Sequence, residues 1–197
     1  MKNTVSTIDN MFDPPQLTKY KIENWKNIAG KKIKEALPEL TDDQLCDDVN
    51  EDVYSDYYDY TPEELPDYAP AIIDVLKPYL QHFAERRPIE IDSMWTQTAY
   101  KHQFHRVHNH GNMGWSAILY VDFDSKVHDG TVYYHALNDL REDSNIDVFQ
   151  PKVKEGDLVI FPAYVPHEAS MNMSDTPRRI ISFNIRDKAP RPFISIP

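Results

Sequence analysis

The sequence predicts an α+β fold, with a helical N-terminal part over residues 1–87 and a β-barrel or jelly roll over residues 88–197. Before Arg87-Pro88, apolar residues recur at helical spacing. After it, β-branched and aromatic residues dominate and are separated by turn signals. Many short strands without intervening helices are typical of barrels and jelly rolls.

The N-terminal part carries several helix signals. Apolar side chains recur at helical spacing from Leu17 to Leu40, which predicts a helical stretch. Thr41-Asp42-Asp43 and Thr61-Pro62-Glu63-Glu64 resemble helix starts. A longer helix is predicted from Tyr68 to Arg86, because its apolar residues mark one buried face.

The C-terminal part carries strand signals, with turns predicted at Asp129-Gly130 and Glu155-Gly156-Asp157. The predicted strands form a regular series of short segments. They cover residues 89–97, 99–108, 114–123, 130–136, 147–153, 157–162, 165–172 and 178–186.

Composition restricts the classes of function and location. The formal net charge of -11 argues against general nucleic-acid binding, which depends on Lys and Arg to neutralise phosphates. No apolar run approaches the roughly 18 residues of a membrane span, and residues 1–10 lack the apolar region of a signal peptide. Cys46 is the one cysteine, so no intrachain disulfide forms and a cytoplasmic location is predicted.

Residues 41–68 are strongly acidic and contain no Lys or Arg. One interpretation is a solvated surface segment. The other is an acidic rim that attracts a cationic substrate or partner. The composition of the segment leaves both interpretations open.

Seven of the eight histidines lie between residues 102 and 167. Strand alternation predicts that His102, His108 and His110 share one face and that His105 lies on the other. Two imidazoles at i and i+2 can chelate one cation, and His167, after an apolar strand, is the candidate third ligand. Four histidines are predicted to be structural or to support the ligands: His102, His105, His128 and His135.

The order of the motifs resembles a known family. An H-x-H pair is followed by Trp115-Ser116, by Gly156–Pro162, by His167, and by a strand from Arg178 to Asn184. This order resembles the 2-oxoglutarate/Fe(II) oxygenases of phages and marine bacteria, and more broadly the prolyl-hydroxylase-like group. The resemblance covers about residues 95–186 and does not include the helical part.

The resemblance implies a double-stranded β-helix and a non-haem Fe(II) dioxygenase. In such an enzyme, oxidative decarboxylation of 2-oxoglutarate by O₂ is coupled to substrate hydroxylation. It also implies metal ligands at His108, His110 and His167. Most of the superfamily has Asp or Glu at the second position, where this chain has His110. A set of three neutral histidines would leave the iron more positively charged than two histidines and a carboxylate.

A second set of residues concerns the cosubstrate. The distal carboxylate of 2-oxoglutarate needs a buried cation, preferably a planar bidentate donor. Arg178 shares a predicted strand face with Ser182, and this four-residue spacing matches the prolyl-hydroxylase-like pattern. Arg178 is therefore the predicted anchor, with Arg179 as the alternative. The resemblance places Tyr100 and Tyr120 against 2-oxoglutarate, although core packing explains either tyrosine equally well.

Two other functional classes compete with this interpretation. Residues Gly156 to His167 also match the second cupin motif, which suggests a metalloprotein that does not use 2-oxoglutarate, but the Glu of the first cupin motif is missing. A jelly-roll structural protein would use its histidines only for packing. The sequence does not identify the substrate, which could be a small molecule or a protein side chain. No membrane partner is expected, and the predicted location includes the cytoplasm of a phage-infected host cell.

Overall fold

We describe a computed structural model, which covers residues 17–47, 49, 51–61, 64–85, 88–138 and 146–188. Its helices are α1 (Gly30–Ala36) and α2 (Ala69–Ala84). Its strands are β1 (Thr18–Lys21), β2 (Leu45–Asp47), β3 (Glu51–Ser55), β4 (Ile89–Ala99), β5 (Phe104–His108), β6 (Trp115–Asp122), β7 (Val132–Asn138), β8 (Ile146–Phe149), β9 (Asp157–Pro162), β10 (His167–Ala169) and β11 (Arg178–Asp187). None of the helices described is long and apolar enough to cross a lipid bilayer.

The strands form one antiparallel sheet that curls into a half-barrel. Its order is β1-β9-β6-β11-β4-β3-β5-β10-β7-β8, and β2 pairs with β3. Strand β11 pairs antiparallel with β4 on one side and with β6 on the other, so it lies within the sheet. The predicted jelly roll is thereby confirmed as a curled antiparallel sheet with few helices, and each predicted strand corresponds to an observed one.

Strand alternation divides the apolar side chains between two cores. On β6, Ala117, Leu119 and Val121 belong to the outer core, which the N-terminal helices cover. Ile118 and Tyr120 point the other way, into the half-barrel. The outer core also receives one face of α2, namely Ile72, Leu76 and Leu80. Because the helices occupy the outer face, the polar side chains of a site can gather only on the inner face.

The N-terminal part is less helical than predicted. Residues 18–21 form an edge strand on β9 and not the start of a helix, with Tyr20 opposite Leu158. The chain then turns at Asn24, which has a left-handed backbone conformation (φ 52°) that is incompatible with a right-handed helix. A five-residue π-helical turn at Trp25–Ala29 leads into α1.

The acidic segment also departs from the predicted helices. The helix signal at Thr41 produces only a three-residue 3₁₀ turn, Asp42–Gln44, before β2 and β3. Pairing of β3 with β4 and β5 outweighs the local helix signal, because it joins the segment to the main sheet. Residues 62–63 of the second helix signal lie outside the described residues. The helix predicted from Tyr68 is confirmed as α2.

Gly114 and Gly111 provide a matched test of backbone packing. Both have positive φ, 84° and 97°, so a side chain strains either backbone by about 1 kcal/mol. A Cβ at Gly114 would also collide with the carbonyl oxygen of Ile185, whereas a Cβ at Gly111 meets nothing within 4 Å. We expect Gly114→Ala to lower the free energy of unfolding by roughly 1–3 kcal/mol more than Gly111→Ala does. Urea denaturation measures both, and equal losses would contradict this packing.

Candidate active site

Three histidines converge on the inner face of the half-barrel. His108 ends β5, and His167 begins β10 directly opposite it in the antiparallel pairing. His110 follows in the next turn, where its backbone N–H donates to the carbonyl of Ala163 (2.9 Å). One ligand nitrogen from each ring lies within 4.8 Å of the other two. The structure therefore brings together the three histidines that the sequence predicts as ligands.

The other nitrogen of each ring is held by a hydrogen bond. His108 Nδ1 lies 2.7 Å from the carbonyl of Arg106, and His167 Nδ1 lies 2.9 Å from the carbonyl of Val165. His110 Nδ1 lies 3.0 Å from the Oδ1 atom of Asn184. Because carbonyl oxygens only accept hydrogen bonds, Nδ1 must be the donor, and the lone pair is left on Nε2. His110 Nε2 is buried and has no hydrogen-bond partner, as a metal ligand would be before the ion binds.

The environment keeps these rings neutral. Burial lowers the pKa of His110 to about 4, with a smaller contribution from His108. Burial also lowers the pKa of His167 well below its usual value and, to a lesser degree, the pKa of His108. A neutral imidazole is the form that binds a metal ion. Three such nitrogens suit a divalent transition ion such as Fe(II).

Asn184 orients His110 and was not singled out from the sequence. Its Oδ1 atom accepts from His110 and from the Ser116 hydroxyl (2.8 Å), and its Nδ2 donates to the Ser93 hydroxyl (2.9 Å). The amide is thus fixed on both sides, and the ring it contacts has one orientation. Strand parity could have found it, because Asn184 shares a face of β11 with Arg178 and Ser182.

The predicted position of His105 is wrong. It does not face away from His108: the two rings stack with centroids 3.9 Å apart. The cause is a β-bulge between two pairings of β10 with β5. His167 pairs with His108, and Ala169 pairs with His105, so two residues along β10 correspond to three residues along β5. One extra residue on β5 reverses the alternation between the two histidines. His105 also contacts Gln97 through Nδ1 (3.3 Å).

The remaining histidines of the sequence analysis do not join the cluster where they are described. His102 was predicted to share a strand face with His108 and His110, but it sits in an exposed turn with φ 71° before β5 begins at Phe104. His128 is buried and structural: its Nδ1 accepts from the Asp124 backbone N–H (3.1 Å), and its Nε2 donates to the Thr176 carbonyl (2.9 Å). The side chain of His135 lies outside the described part of the chain.

Arg178 is a buried cation at the start of β11. Its side chain donates to the carbonyls of Ser170 (2.8 Å) and Asp129 (3.3 Å). In the described residues it forms no ion pair with a carboxylate. Burial lowers the pKa of Arg178, while nearby Tyr120 and Asp129 favour the charged form. A buried guanidinium that forms no ion pair with a carboxylate is suited to bind an anionic ligand.

Hydroxyl groups lie next to this cation. Tyr120 is fully buried, its hydroxyl donates to Thr131 Oγ1 (2.9 Å), and it accepts from the Thr131 backbone N–H (3.2 Å). The Tyr133 hydroxyl is buried nearby without a well-formed hydrogen bond. Of the predicted cosubstrate residues, the structure therefore brings Tyr120 together with Arg178.

Arg179 and Tyr100 lie outside this arrangement. Arg179 points to the other face of β11, where its guanidinium donates to the Pro38 carbonyl of the N-terminal part. Tyr100 is 50% exposed and packs edge-on against Tyr54. Arg179 therefore lies behind the inner sheet face, and Tyr100 lies at the protein surface.

Two connected cavities meet at the histidine cluster. The inner cavity is narrow and is lined by inward residues of the sheet, including Ile118, Thr131, Phe161, Ile180 and Ser182. The outer pocket is wider and is lined by residues of the N-terminal part. Both are lined by Trp95, Gln97, His105, His108 and His110. The histidine cluster thus lies where the two cavities meet.

Residues 93–184 match a protein-family model described as "Putative 2OG-Fe(II) oxygenase". The matched range contains the three converging histidines, Arg178 and Ser182. The matched segment is therefore similar to the 2OG-Fe(II) oxygenases that this family model describes. Fe(II), 2-oxoglutarate and O₂ are the cofactors that this family implies. No curated protein sequence matches the chain.

Solved structures share the fold of this chain at low sequence identity. A prolyl-4-hydroxylase from Pseudomonas putida is 13% identical, with a TM-score of 0.56 over 88% of this chain and 94% of that chain. A viral collagen prolyl hydroxylase from Paramecium Bursaria Chlorella virus-1 is 12% identical, with a TM-score of 0.57 over 90% and 99%. HygX from Streptomyces hygroscopicus, solved with nickel, 2-oxoglutarate and hygromycin B, is 12% identical, with a TM-score of 0.57 over 90% and 85%.

Metal binding at the three histidines can be tested with single variants. We expect His108→Ala or His167→Ala to abolish stoichiometric Fe(II) binding, because each removes one of three converging nitrogens. His128→Ala is the control, since it removes a buried histidine that lies outside the cluster. Metal content after anaerobic loading and desalting is the measurement. Full occupancy in both ligand variants would contradict the site.

The role of Asn184 predicts a graded effect. Asn184→Ala removes the acceptor that orients His110, and loss of such a partner typically weakens metal affinity by about 10–100-fold. Mn(II) titration followed by electron paramagnetic resonance measures the affinity. Ser93→Ala is the matched control, because it removes a contact of Asn184 but leaves the bond to His110 in place. An Asn184→Ala affinity equal to that of the wild type would exclude the orienting role.

Proposed function

We propose that this chain is a 2-oxoglutarate-dependent Fe(II) hydroxylase in which His108, His110 and His167 hold the metal and Arg178 anchors the cosubstrate. The observation that carries the proposal is the combination of two features in one half-barrel. Three imidazole nitrogens converge with their second nitrogens already hydrogen-bonded, and a buried guanidinium without a paired carboxylate lies on the same inner face.

In this proposal the protein binds the metal and the cosubstrate, orients them and excludes water from the reaction. When bound, Fe(II) together with 2-oxoglutarate and O₂ supplies the oxidising power for hydroxylation. The contacts at Nδ1 keep each imidazole in the tautomer that binds metal. Ile118, Phe161 and Ile180 give the inner cavity apolar walls, which exclude water from the reaction.

The inner face of the half-barrel offers the cosubstrate a buried cation. Arg178 would take the distal carboxylate of 2-oxoglutarate, and Tyr120 and Thr131 beside it can donate or accept hydrogen bonds there. Ser182, on the same face of β11 between Arg178 and Asn184, lines the inner cavity next to the histidines. Of the two tyrosines that the sequence suggested, we assign the contact to Tyr120, since Tyr100 lies half-exposed against Tyr54.

The substrate would enter from the other side of the cluster. The outer pocket shares His108 and His110 with the inner cavity and is open to solvent. Residues from the N-terminal part line it, so this part of the chain would determine specificity. We also propose a cytoplasmic location, which rests on the single cysteine and so on composition alone.

The cosubstrate assignment predicts unequal roles for two adjacent arginines. Arg178→Ala should weaken 2-oxoglutarate binding on the order of a thousandfold. The reason is that an unpaired buried carboxylate costs roughly 3–5 kcal/mol. Fe(II) or Mn(II) binding should remain nearly intact, because Arg178 lies outside the histidine cluster.

Arg179→Ala is the matched control, since its guanidinium contacts Pro38 on the opposite face of β11. Anaerobic calorimetry of 2-oxoglutarate binding to the Mn(II)-loaded protein measures both variants. Damage from Arg179→Ala alone would show that the strand faces are assigned in reverse. No effect from either variant would favour a metalloprotein that does not use 2-oxoglutarate.

A further inference from the structure

The histidine cluster brings no negative charge to a metal ion that it holds. Within the described part of the chain, the ligand atoms of His108, His110 and His167 converge closely enough for a metal ion, and no carboxylate belongs to this group. A neutral imidazole donates a lone pair but offsets none of the charge of a divalent ion. A set of two histidines and one carboxylate, by contrast, offsets one of the two positive charges.

The groups behind the three ligands are neutral as well. The Nδ1 atoms of His108 and His167 lie against the backbone carbonyls of Arg106 and Val165, at 2.7 and 2.9 Å. The Nδ1 atom of His110 lies 3.0 Å from the amide oxygen of Asn184. In many metal sites a carboxylate takes this second hydrogen bond and makes the ring a more basic ligand. Here neutral carbonyl groups take all three, so the partners of the ligands offset no charge either.

The walls around the cluster do not supply the missing charge. Among the described residues, those that line the inner cavity are apolar or carry uncharged polar groups. Besides the histidines, the polar ones are Gln97, Ser116, Thr131 and Ser182. In the outer pocket, the Glu51 carboxylate lies 3.5 Å from His105 Nε2 and accepts from the Tyr58 hydroxyl (3.1 Å). These contacts of Glu51 are with rings other than the three ligands.

Burial increases the effect of a charge that is not offset. His167 is 3% exposed, and the Nε2 atom of His110 is buried without a hydrogen-bond partner. Charges interact more strongly in such poorly solvated surroundings than in water. A divalent ion held by these nitrogens would therefore favour an anion beside it more strongly than the same ion at the protein surface.

The cosubstrate would bring the charge that the protein omits. On the proposed function, the distal carboxylate of 2-oxoglutarate pairs with the buried Arg178, and the carboxylate of its 2-oxo acid end remains for the metal. That carboxylate would be the first negative charge among the ligands of the ion. In a site with a protein carboxylate it would be the second, and it would gain less from an ion whose charge is already partly offset.

We propose that an anion of the 2-oxo acid class completes the charge of this metal centre, so that the metal and the anion each depend strongly on the other for binding. The choice of 2-oxoglutarate as the natural anion rests on the proposed function. Position 110 determines the strength of the coupling, because it is filled by a neutral ring and not by a carboxylate. Since coupling is reciprocal, 2-oxoglutarate raises the affinity for the metal by the factor by which the metal raises the affinity for 2-oxoglutarate.

The coupling factor between Mn(II) and 2-oxoglutarate tests this proposal. It is the Mn(II) dissociation constant without 2-oxoglutarate divided by the constant at saturating 2-oxoglutarate. Electron paramagnetic resonance measures both, with a correction for Mn(II) bound by free 2-oxoglutarate. We expect a factor of about a hundred for the wild type, near the upper end of the usual range of coupling. In His110→Asp it should fall to about ten or less, because the carboxylate offsets one charge before the cosubstrate arrives.

His110→Asn is the matched control, since asparagine has the shape of aspartate and no charge. Both variants lose the imidazole and its contact with Asn184, and an effect of this loss that is common to the two dissociation constants cancels in their ratio. His110→Asn should therefore bind Mn(II) more weakly but keep a coupling factor near that of the wild type. A factor in His110→Asp as large as in the wild type would overturn the proposal, as would an equal fall in both variants.

Pyruvate and pyruvamide test the role of charge in the wild type, without the contact to Arg178. Both present a 2-oxo group and a neighbouring oxygen, but only pyruvate is an anion. At equal concentrations, pyruvate should raise the Mn(II) affinity at least about fivefold more than pyruvamide does. Equal effects of the two compounds would contradict the proposal. An effect of pyruvate with none from 2-oxoglutarate would defeat the hydroxylase assignment and leave the dependence on an anion in place.

Discussion

The two-sided pairing of β11 is the constraint on which the rest of the structure depends. Because β4 and β6 hold it on both sides, its side chains must alternate strictly between the half-barrel interior and the helix-covered face. Arg178, Ser182 and Asn184 therefore share the interior, and Arg179 is excluded from it. At about 3.3 Å per residue, the strand separates the α-carbons of Arg178 and Asn184 by about 20 Å. One strand thus sets the distance between the buried cation and the residue that orients His110.

The strongest sequence predictions follow from this regularity. Strand parity alone placed Arg178 and Arg179 on opposite faces, and it holds because the extra residue at this point belongs to β6 and not to β11: Arg179 pairs with Asp122 and Ile180 with Tyr120. The convergence of His108, His110 and His167 was predictable from their order along the chain, since antiparallel pairing of β5 with β10 places His108 opposite His167. Parity would also have found Asn184, had side-chain amides been considered as partners for the ligands.

The predictions that failed concern interactions that local sequence does not encode. The bulge in β5 reverses the face of His105, and no residue in that segment signals the extra position. Residues 18–21 form a strand because they pair with β9, whose Leu158 lies about 140 residues further along the chain. Likewise, Glu51 and Tyr57 reach the site only because β3 pairs with β4 and β5. The acidic composition of residues 41–68 left two interpretations open, and which of these residues line the outer pocket required the tertiary structure.

The carbonyl contacts of Arg178 have a consequence for the energetics of ligand capture. Asp129 and Ser170 belong to different loops at one end of the half-barrel, and one guanidinium joins both. The side chain is therefore immobilised before any anion arrives, so the rotamer entropy that a long cationic side chain usually loses on binding has already been lost during folding. On the proposed assignment of Arg178, an incoming dicarboxylate would meet a rigid receptor whose length is fixed by the strand. Diacids one methylene shorter or longer would then have to strain themselves, and not the protein, to span it.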